Sequence, residues 1–385
     1  MTKPLRDAVA QGHPWIYDRA LAPTAGLAPG DVVTLVDERG PLATAMVDPG
    51  RPIAARVLDL DPAANIDEAW IVARCARAAR DRVRDPLLVG CDGLRWIHGE
   101  NDGCPGLVVD GYAGVFVVVF DGGGAARLWE PQLAAVLEGL RQGGAPIETV
   151  WVRAVRGGAA GASGHAVGAE PPALVTIRER DARFEVDVRA GQKTGFFLDQ
   201  RQNRLLVGGL AAGADVLNVF SYSGGFSVHA GLGGARSVTS VDIAGPAIEA
   251  ARRNVAASGL DPAGHAFVAE DAFEFFARAV DQGRRWDLVI TDPPSFAPSE
   301  QARPKALAAY RRIAHTALGV VAPGGLLAFA SCSSHVTEAD LLGVLASAGG
   351  GALRVRAILG AASDHPVLPA FPEGRYLKFI LASTA

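Results

Sequence analysis

Residues 1–66 carry short apolar runs separated by turn residues. Val32 to Asp37 (VVTLVD), the LATAMVD run and Ile53 to Leu58 are bounded by Ala28-Pro29-Gly30-Asp31, Glu38-Arg39-Gly40-Pro41 and Asp48-Pro49-Gly50. Short strands with turns between them predict a small β-barrel. The period then changes. Residues 66–84 predict a helix begun by Asn65. Arg74, Arg77 and Arg80, with Arg84 following, line one side of it, either as a solvated face or as a stripe that tracks phosphates.

Strand patterns return beyond residue 92, at Leu94–His98, Gly106–Val109 and Gly114–Phe120. A helix is predicted at Arg127–Leu140, and strands at Thr149–Ala154 and Phe184–Val188. The run from Arg156 to Pro172 is Gly/Ala-rich without periodicity, which predicts a flexible loop. From about residue 190, strands and helices alternate. Strands are predicted at Val216–Phe220, Val238–Val241, Ala266–Ala269, Trp286–Thr291 and Leu326–Ser331. Helices are predicted at Phe226–Leu232, over residues 243–260 and at Lys305–Val321, and the tail from Asp364 to Ile380 reads as a closing hairpin. Alternation of this kind predicts a doubly wound α/β sheet of the Rossmann-like class. The pattern divides the chain into a β-rich module (1–66), a linker helix (67–91), a small α+β domain (92–189) and an α/β domain (190–385).

Composition narrows the classes. A chain of 385 residues has room for two or three domains. Its 49% hydrophobic and 20% charged content suits a soluble protein with a sizeable core. No apolar run approaches a membrane span, and the N-terminal segment lacks the apolar core of a secretory signal. The four cysteines form no C-x-x-C pair, which points to free thiols in a reducing cytoplasm. Cys91, His98 and Cys104 match no common zinc spacing, so no metal is expected. A net charge of −4 counts against broad electrostatic coating of nucleic acid and leaves room for a local basic patch.

The stretch from Asp215 to Asp242 carries the first chemistry. It reads as strand, glycine turn (Ser223-Gly224-Gly225), helix and strand, with Asp242 at the second strand's carboxyl end. In an open parallel sheet, ligands bind in the crevice outside these ends. An acidic residue about one βαβ unit past the turn is placed to accept ribose hydroxyls, so an adenosine-bearing cofactor is expected. The turn from Phe220 to Phe226 does not follow G-x-G-x-x-G, the dinucleotide pattern. S-adenosylmethionine has no phosphate and tolerates a looser turn. The plainer account is that the glycines pack helix on strand.

Four polar side chains end successive predicted strands: Asp242, Asp271, Asp292 and Cys332. Asp271 is placed to accept from an adenine amino group. After Asp292, two prolines fix φ and remove backbone donors, which holds the carboxylate and Phe296 towards a substrate. Cys332 in Ser331-Cys332-Ser333-Ser334 is either a small buried hydrophobe or a nucleophile. Carbon-5 of a pyrimidine becomes nucleophilic when a thiolate adds to carbon-6, whereas methyl transfer to an exocyclic amine needs no cysteine. The Trp15-Ile16-Tyr17 run could stack on a base, or pack a core.

Taken together, HPWIY, ENDGCPGLVVD, GQKTGFFLDQRQNR, NVFSYSGGF, TDPPSF, ASCS and DHPVLPAFPEGRYLKF resemble the bacterial large-subunit ribosomal RNA cytosine-C5 methyltransferases with an N-terminal PUA domain. The likeness covers almost the whole chain. It implies a PUA-like RNA-binding domain, a small central domain and a class I methyltransferase domain. It implies S-adenosylmethionine held by Phe220, Ser221, Tyr222, Ser223, Gly224, Gly225, Asp242, Ile243, Asp271, Ala272 and Asp292. It also implies catalysis by Cys332 and Asp292, and RNA contacts from Pro293, Pro294, Ser295, Phe296, Lys193 and Arg201. Large-subunit ribosomal RNA is the implied partner, and a homodimer fits this kind of protein. Against the family pattern, the Arg156–Pro172 loop is almost uncharged and the N-terminal module carries more acids than bases, which implies weaker or more local RNA contact. His365 is either the base that removes the carbon-5 proton or part of a turn-forming Asp-His-Pro.

Overall fold

The computed structural model describes residues 5–22, 26–153 and 164–385. Two compact units divide the chain. The first comprises residues 1–177, 186–198 and 363–374, and the second residues 178–185, 199–362 and 375–385. Among the described residues, no helix is long and apolar enough to cross a membrane.

The first unit opens with a four-stranded antiparallel sheet, in the order Trp15–Tyr17, Ile53–Asp59, Gly40–Val47, Val32–Asp37. Ile16, Leu35, Ala43, Ala45 and Ala55 are buried in its core. The helix that follows spans Glu68–Arg84 and is capped by Asp67, whose carboxylate accepts from Trp70 N–H, so the cap is not the predicted Asn65. Asn65 instead donates its amide to Asp67 at 2.9 Å. A five-stranded sheet comes next, in the order Gly93–His98, Leu107–Tyr112, Val115–Phe120, Thr149–Val152, Gly164–Val167. The single helix expected at Arg127–Leu140 is two helices, Gly123–Trp129 and Leu133–Gln142. Pro131 lies between them, where it lacks an N–H and disfavours helical geometry in the residue before it. Of the Gly/Ala-rich run, residues 156–163 lie outside the described residues, and 164–167 form the fifth strand.

The second unit is built on a seven-stranded sheet. Its order is His265–Ala269, Ser237–Asp242, Asp215–Val219, Trp286–Thr291, Val321–Ser331, Lys378–Ser383, Arg354–Leu359. The first five strands are parallel, and Lys378–Ser383 runs antiparallel to both of its neighbours. Parallel strands covered by helices on both faces read as continuous apolar runs, which is why WDLVIT was legible as a strand. The chain runs outward from Asp215–Val219 to His265–Ala269 and then returns to Trp286–Thr291. A topological switch point therefore lies between Asp215–Val219 and Trp286–Thr291.

The closing hairpin predicted over residues 364–380 does not form. Lys378–Ser383 pairs with Val321–Ser331 on one side and with Arg354–Leu359 on the other. Pro366, Pro369 and Pro372 remove the donors a strand would need before Lys378. The strand at Arg354–Leu359 and the helix at Glu338–Gly349 were not predicted. The helix begins with a reciprocal capping box between Thr337 and Asp340, a signal that was present in the sequence.

Candidate active site

Four predicted side chains stand at the carboxyl ends of parallel strands in the second unit. Asp242 closes its strand, Asp271 follows His265–Ala269 by two residues, Asp292 follows Thr291, and Cys332 follows Ser331. The strands that end at Thr291 and Ser331 are parallel neighbours, so Asp292 and Cys332 follow neighbouring strands on one edge of the sheet, Cys332 two residues further along.

The loop after Asp215–Val219 is held in an unusual backbone. Phe220 (φ 60°) and Tyr222 (φ 47°) both occupy the left-handed region, which is costly for residues with a Cβ. Such strain persists only where surrounding contacts fix it, and it gathers at ligand sites. Here Tyr222 N–H donates to Asp242 Oδ2 at 2.8 Å, and Asn254 Nδ2 donates to Ser223 O at 2.8 Å. Asp242 Oδ1 accepts from Ala244 N–H at 3.0 Å, and each carboxylate oxygen keeps a second lone pair. Beneath the loop, Asn218 donates to Ser227, which bonds Ser240, tying helix Gly225–Leu232 between two strands.

The two glycines are also packing positions. Gly224 has φ +78°, and a Cβ there would come within 2.8 Å of Ala251 Cβ. A Cβ on Gly225 would meet Arg204 Cδ at 2.9 Å. Both glycines sit where this turn packs against neighbouring helices, Gly245–Ala257 and Arg201–Leu210, and not against a strand. The residues with strained backbone are Phe220 and Tyr222.

Asp271 caps helix Ala272–Asp281, and both of its bonds, from Phe273 and Glu274 N–H, go to Oδ1. Its other oxygen is left for a ligand. Gln200 Nε2 donates to Asp292 Oδ2 at 2.9 Å. Pro293 is buried, while Pro294 and Ser295 are exposed. Phe296 packs edge-on against Tyr310, with centroids 5.2 Å apart.

Around Cys332 lies a polar network that sequence reasoning missed. Ser333 Oγ lies 3.1 Å from Ser295 Oγ and 3.1 Å from Tyr310 OH, and accepts from Phe296 N–H. Ser331 Oγ donates to Tyr310 OH at 2.8 Å. Burial raises the pKa of the Tyr310 phenol, and the charges of Cys332 and Asp292 add to the effect against the opposing hydrogen bonds to Ser331 and Ser333. Lys378, buried, donates to Ser333 O at 2.6 Å and to Tyr376 O at 2.8 Å. Burial brings its ammonium down to about 8, while Cys332 and Asp340 push it up. Capping signals would not have found Lys378, since its place depends on antiparallel register with Ser331.

Several expectations are relocated. Arg201 is fully buried, with Nε 3.9 Å from Glu179 Oε2, so it faces a core carboxylate and not solvent. Glu179 also takes a bidentate pair from Arg204 (2.8 and 2.5 Å) and a bond from His229. Lys193 belongs to the first unit, where it has φ 55° and sits over the Phe197 ring at 4.3 Å. Arg153 holds this loop by donating to the carbonyls of Arg189, Gly191 and Lys193. His365, also in the first unit, is buried, bonds Asp364 at 2.8 Å and lies 5.0 Å from the His98 ring. This is the geometry of a packed Asp-His-Pro turn. Ile16 is buried, and Trp15 donates to Glu100 and packs on Phe371, so these two serve packing, while Tyr17 is 39% exposed. On the arginine stripe, Arg74 pairs with Asp59 and Arg77 donates to Asp102 O, leaving Arg80 and Arg84 exposed.

Residues 156–356 match the model of the S-adenosylmethionine-dependent methyltransferase family, and residues 2–60 that of the PUA-like domain. The chain belongs to the S-adenosylmethionine-dependent methyltransferases. It is 40% identical over 97% of its length to a ribosomal RNA large subunit methyltransferase of Deinococcus radiodurans, covering 93% of that protein. It is 37% identical over 98% of its length to ribosomal RNA large subunit methyltransferase I of Klebsiella pneumoniae, covering 96% of it. A Streptococcus mutans protein solved as a SAM-dependent methyltransferase shares the fold, with a TM-score of 0.85 at 24% identity and coverage of 98% and 97% of the two chains.

The cofactor of this methyltransferase is S-adenosylmethionine, and the residues present fit it. Ser221 Oγ is buried without a hydrogen-bond partner beside the strained loop. Ile243, next to Asp242, is 72% exposed, a large apolar side chain at the strand edge where an adenine ring needs cover. The carboxylates of Asp242 and Asp271 keep lone pairs that would suit the hydroxyl and amino donors of an adenosine.

Proposed function

We propose that this methyltransferase forms 5-methylcytosine in large-subunit ribosomal RNA through a covalent adduct at Cys332. The observation that carries the reading is the placement of Asp292 and Cys332 just beyond the carboxyl ends of two neighbouring parallel strands. The names of the relatives support ribosomal RNA as the substrate class.

In this reading, Asp242 and the Phe220–Gly225 loop hold the ribose end of the cofactor, with Ile243, Asp271 and Ala272 around the adenine. The bound cofactor supplies an electrophilic methyl group. Cys332 is half-buried, and in this reading its sulfur meets a base that has left its stack. The thiolate adds to carbon-6, and the displaced π pair makes carbon-5 a nucleophile. Asp292, oriented by Gln200, hydrogen-bonds the polar edge of the ring. Pro293 and Pro294 stiffen the loop that carries Ser295 and Phe296 to the substrate. Loss of the carbon-5 proton restores the ring double bond and expels the thiolate. Residues 1–66 act as an RNA-binding module, and Lys193, over Phe197, adds a local contact to the phosphate backbone.

The test is transfer of labelled methyl from S-adenosylmethionine to protein-free large-subunit RNA that lacks the modification, followed by digestion to nucleosides. Label in 5-methylcytidine is the expected result. Label in an N-methyl nucleoside overturns the reading and reduces Cys332 to packing.

A further inference from the structure

We propose that Lys378 is the proton partner of Cys332, a positioning residue that takes the thiol proton and holds the sulfur as thiolate. This deepens the reading above and rests on Cys332 as nucleophile.

Lys378 pairs with Ser331 in the antiparallel ladder, one residue before Cys332. Its Nζ then reaches the carbonyl of Ser333, one residue after Cys332, at 2.6 Å. The lysine side chain therefore runs alongside the segment that presents the sulfur. A second bond, to Tyr376 O at 2.8 Å, completes a two-point fixation of Nζ.

Two acceptors suit this role. A neutral amine has two N–H bonds, and both are used by these carbonyls. An ammonium has three. The position that changes between amine and ammonium is thus the one not committed to Ser333 or Tyr376. The carbonyls orient Nζ in both protonation states, so a proton can be gained there without breaking either bond.

The transfer balances simply. The Sγ–H bond breaks, its electron pair stays on sulfur, and the proton forms the third N–H bond on Nζ. The charged groups facing Lys378 are Cys332 and Asp340, both of which favour the ammonium. On the neighbouring helix, Tyr310 feels the charges of both Cys332 and Asp292. With Lys378 brought down to about 8 by burial, its acidity lies close to the ordinary thiol value of about 8.5, so moving the proton between the two costs little.

The test is the pH dependence of Cys332 alkylation by iodoacetamide in the intact protein, read by mass on the Cys332 peptide so that Cys91 does not interfere. Lys378→Met is expected to raise the midpoint by about one pH unit and to slow alkylation at neutral pH about tenfold. Lys378→Gln keeps N–H donors for the two carbonyls but no charge, and is expected to shift the midpoint likewise. Lys378→Arg, which restores a cation, is expected to return it towards wild type. Cofactor binding measured on each variant confirms the fold. An unchanged midpoint in both neutral variants overturns the proposal, as does rescue by Gln, which would make the lysine a backbone support. If Cys332→Ala retains full 5-methylcytidine formation, the covalent reading fails, whereas an inactive Cys332→Ala with an unshifted midpoint removes Lys378 alone.

Discussion

Gln200 Nε2 donates to Asp292 Oδ2 at 2.9 Å, fixing the carboxylate that follows the Trp286–Thr291 strand. Gln200 is itself buried and is backed by Asn203, whose Nδ2 donates to Gln200 Oε1 at 2.6 Å. The amide therefore has a set orientation, with its NH2 facing the carboxylate. A hydrogen bond to a charged group contributes about 1.5–3 kcal/mol. Gln200→Ala is expected to lower kcat for methyl transfer about tenfold or more while leaving cofactor affinity within about threefold, because the bond orients Asp292 and does not form the Asp242 side of the site. Steady-state kinetics alongside calorimetric cofactor binding separates the two; an equal loss in both would mean that Gln200 only supports the fold.

Gly224 is a packing residue. Its φ of +78° lies in the left-handed region, and a Cβ would sit 2.8 Å from Ala251 Cβ and 3.1 Å from Ala251 Cα. Left-handed backbone costs a residue with a Cβ about 1–2 kcal/mol, and overpacking adds about 1–3 kcal/mol. Gly224→Ala is expected to lower Tm by several degrees, with the larger part visible in chemical denaturation without cofactor.

How far the sequence carried this site can be judged from its residues. Asp292 and Cys332 were legible because each follows an unbroken apolar run, and fully buried parallel strands are written that way. Asp242 was legible from its spacing to the glycine turn. The role of the glycines was not, since Ala251 approaches Gly224 only after the next helix has packed. The resemblance implied an RNA contact for Arg201, but its side chain is buried beside Glu179, a partner that lies 22 residues earlier in the chain and that no local pattern announces. Lys378 was invisible because its relation to Cys332 is set by strand order, and the expected tail hairpin had the wrong partner.

Glu179 gives a pH prediction. Burial alone would raise its carboxyl, but the Arg204 charge and its hydrogen bonds, with those of His229, outweigh burial and hold it well below the usual 4.5. A carboxyl depressed in the folded state contributes stability that is fully present above the unfolded value and is lost as pH falls through the folded one. Unfolding free energy is therefore expected to fall progressively below about pH 4.5. Glu179→Gln is expected to flatten that limb and to destabilise by about 3–5 kcal/mol near neutrality, since Arg204 and Arg201 are left buried beside a neutral amide. Urea titrations of both proteins across the acid range check the slope and the offset together.

Asp271 caps helix Ala272–Asp281 through Oδ1. The proposed cofactor site gives its second oxygen to the adenine amino group, and a pair of substitutions can divide the two roles. Removing a cap costs about 1 kcal/mol of stability. Asp271→Ala is expected to lose both, with reduced Tm and weakened cofactor binding. Asp271→Ser keeps a capping oxygen and has none left over for the amine. It is expected to hold Tm near wild type while the cofactor Kd rises about tenfold, the equivalent of about 1.4 kcal/mol. S-adenosylhomocysteine carries the same adenine without the sulfonium, so its Kd should rise by the same factor. If Asp271→Ser binds both ligands as tightly as wild type, the carboxylate is a helix cap alone, and the adenine finds its acceptor elsewhere along the strand edge.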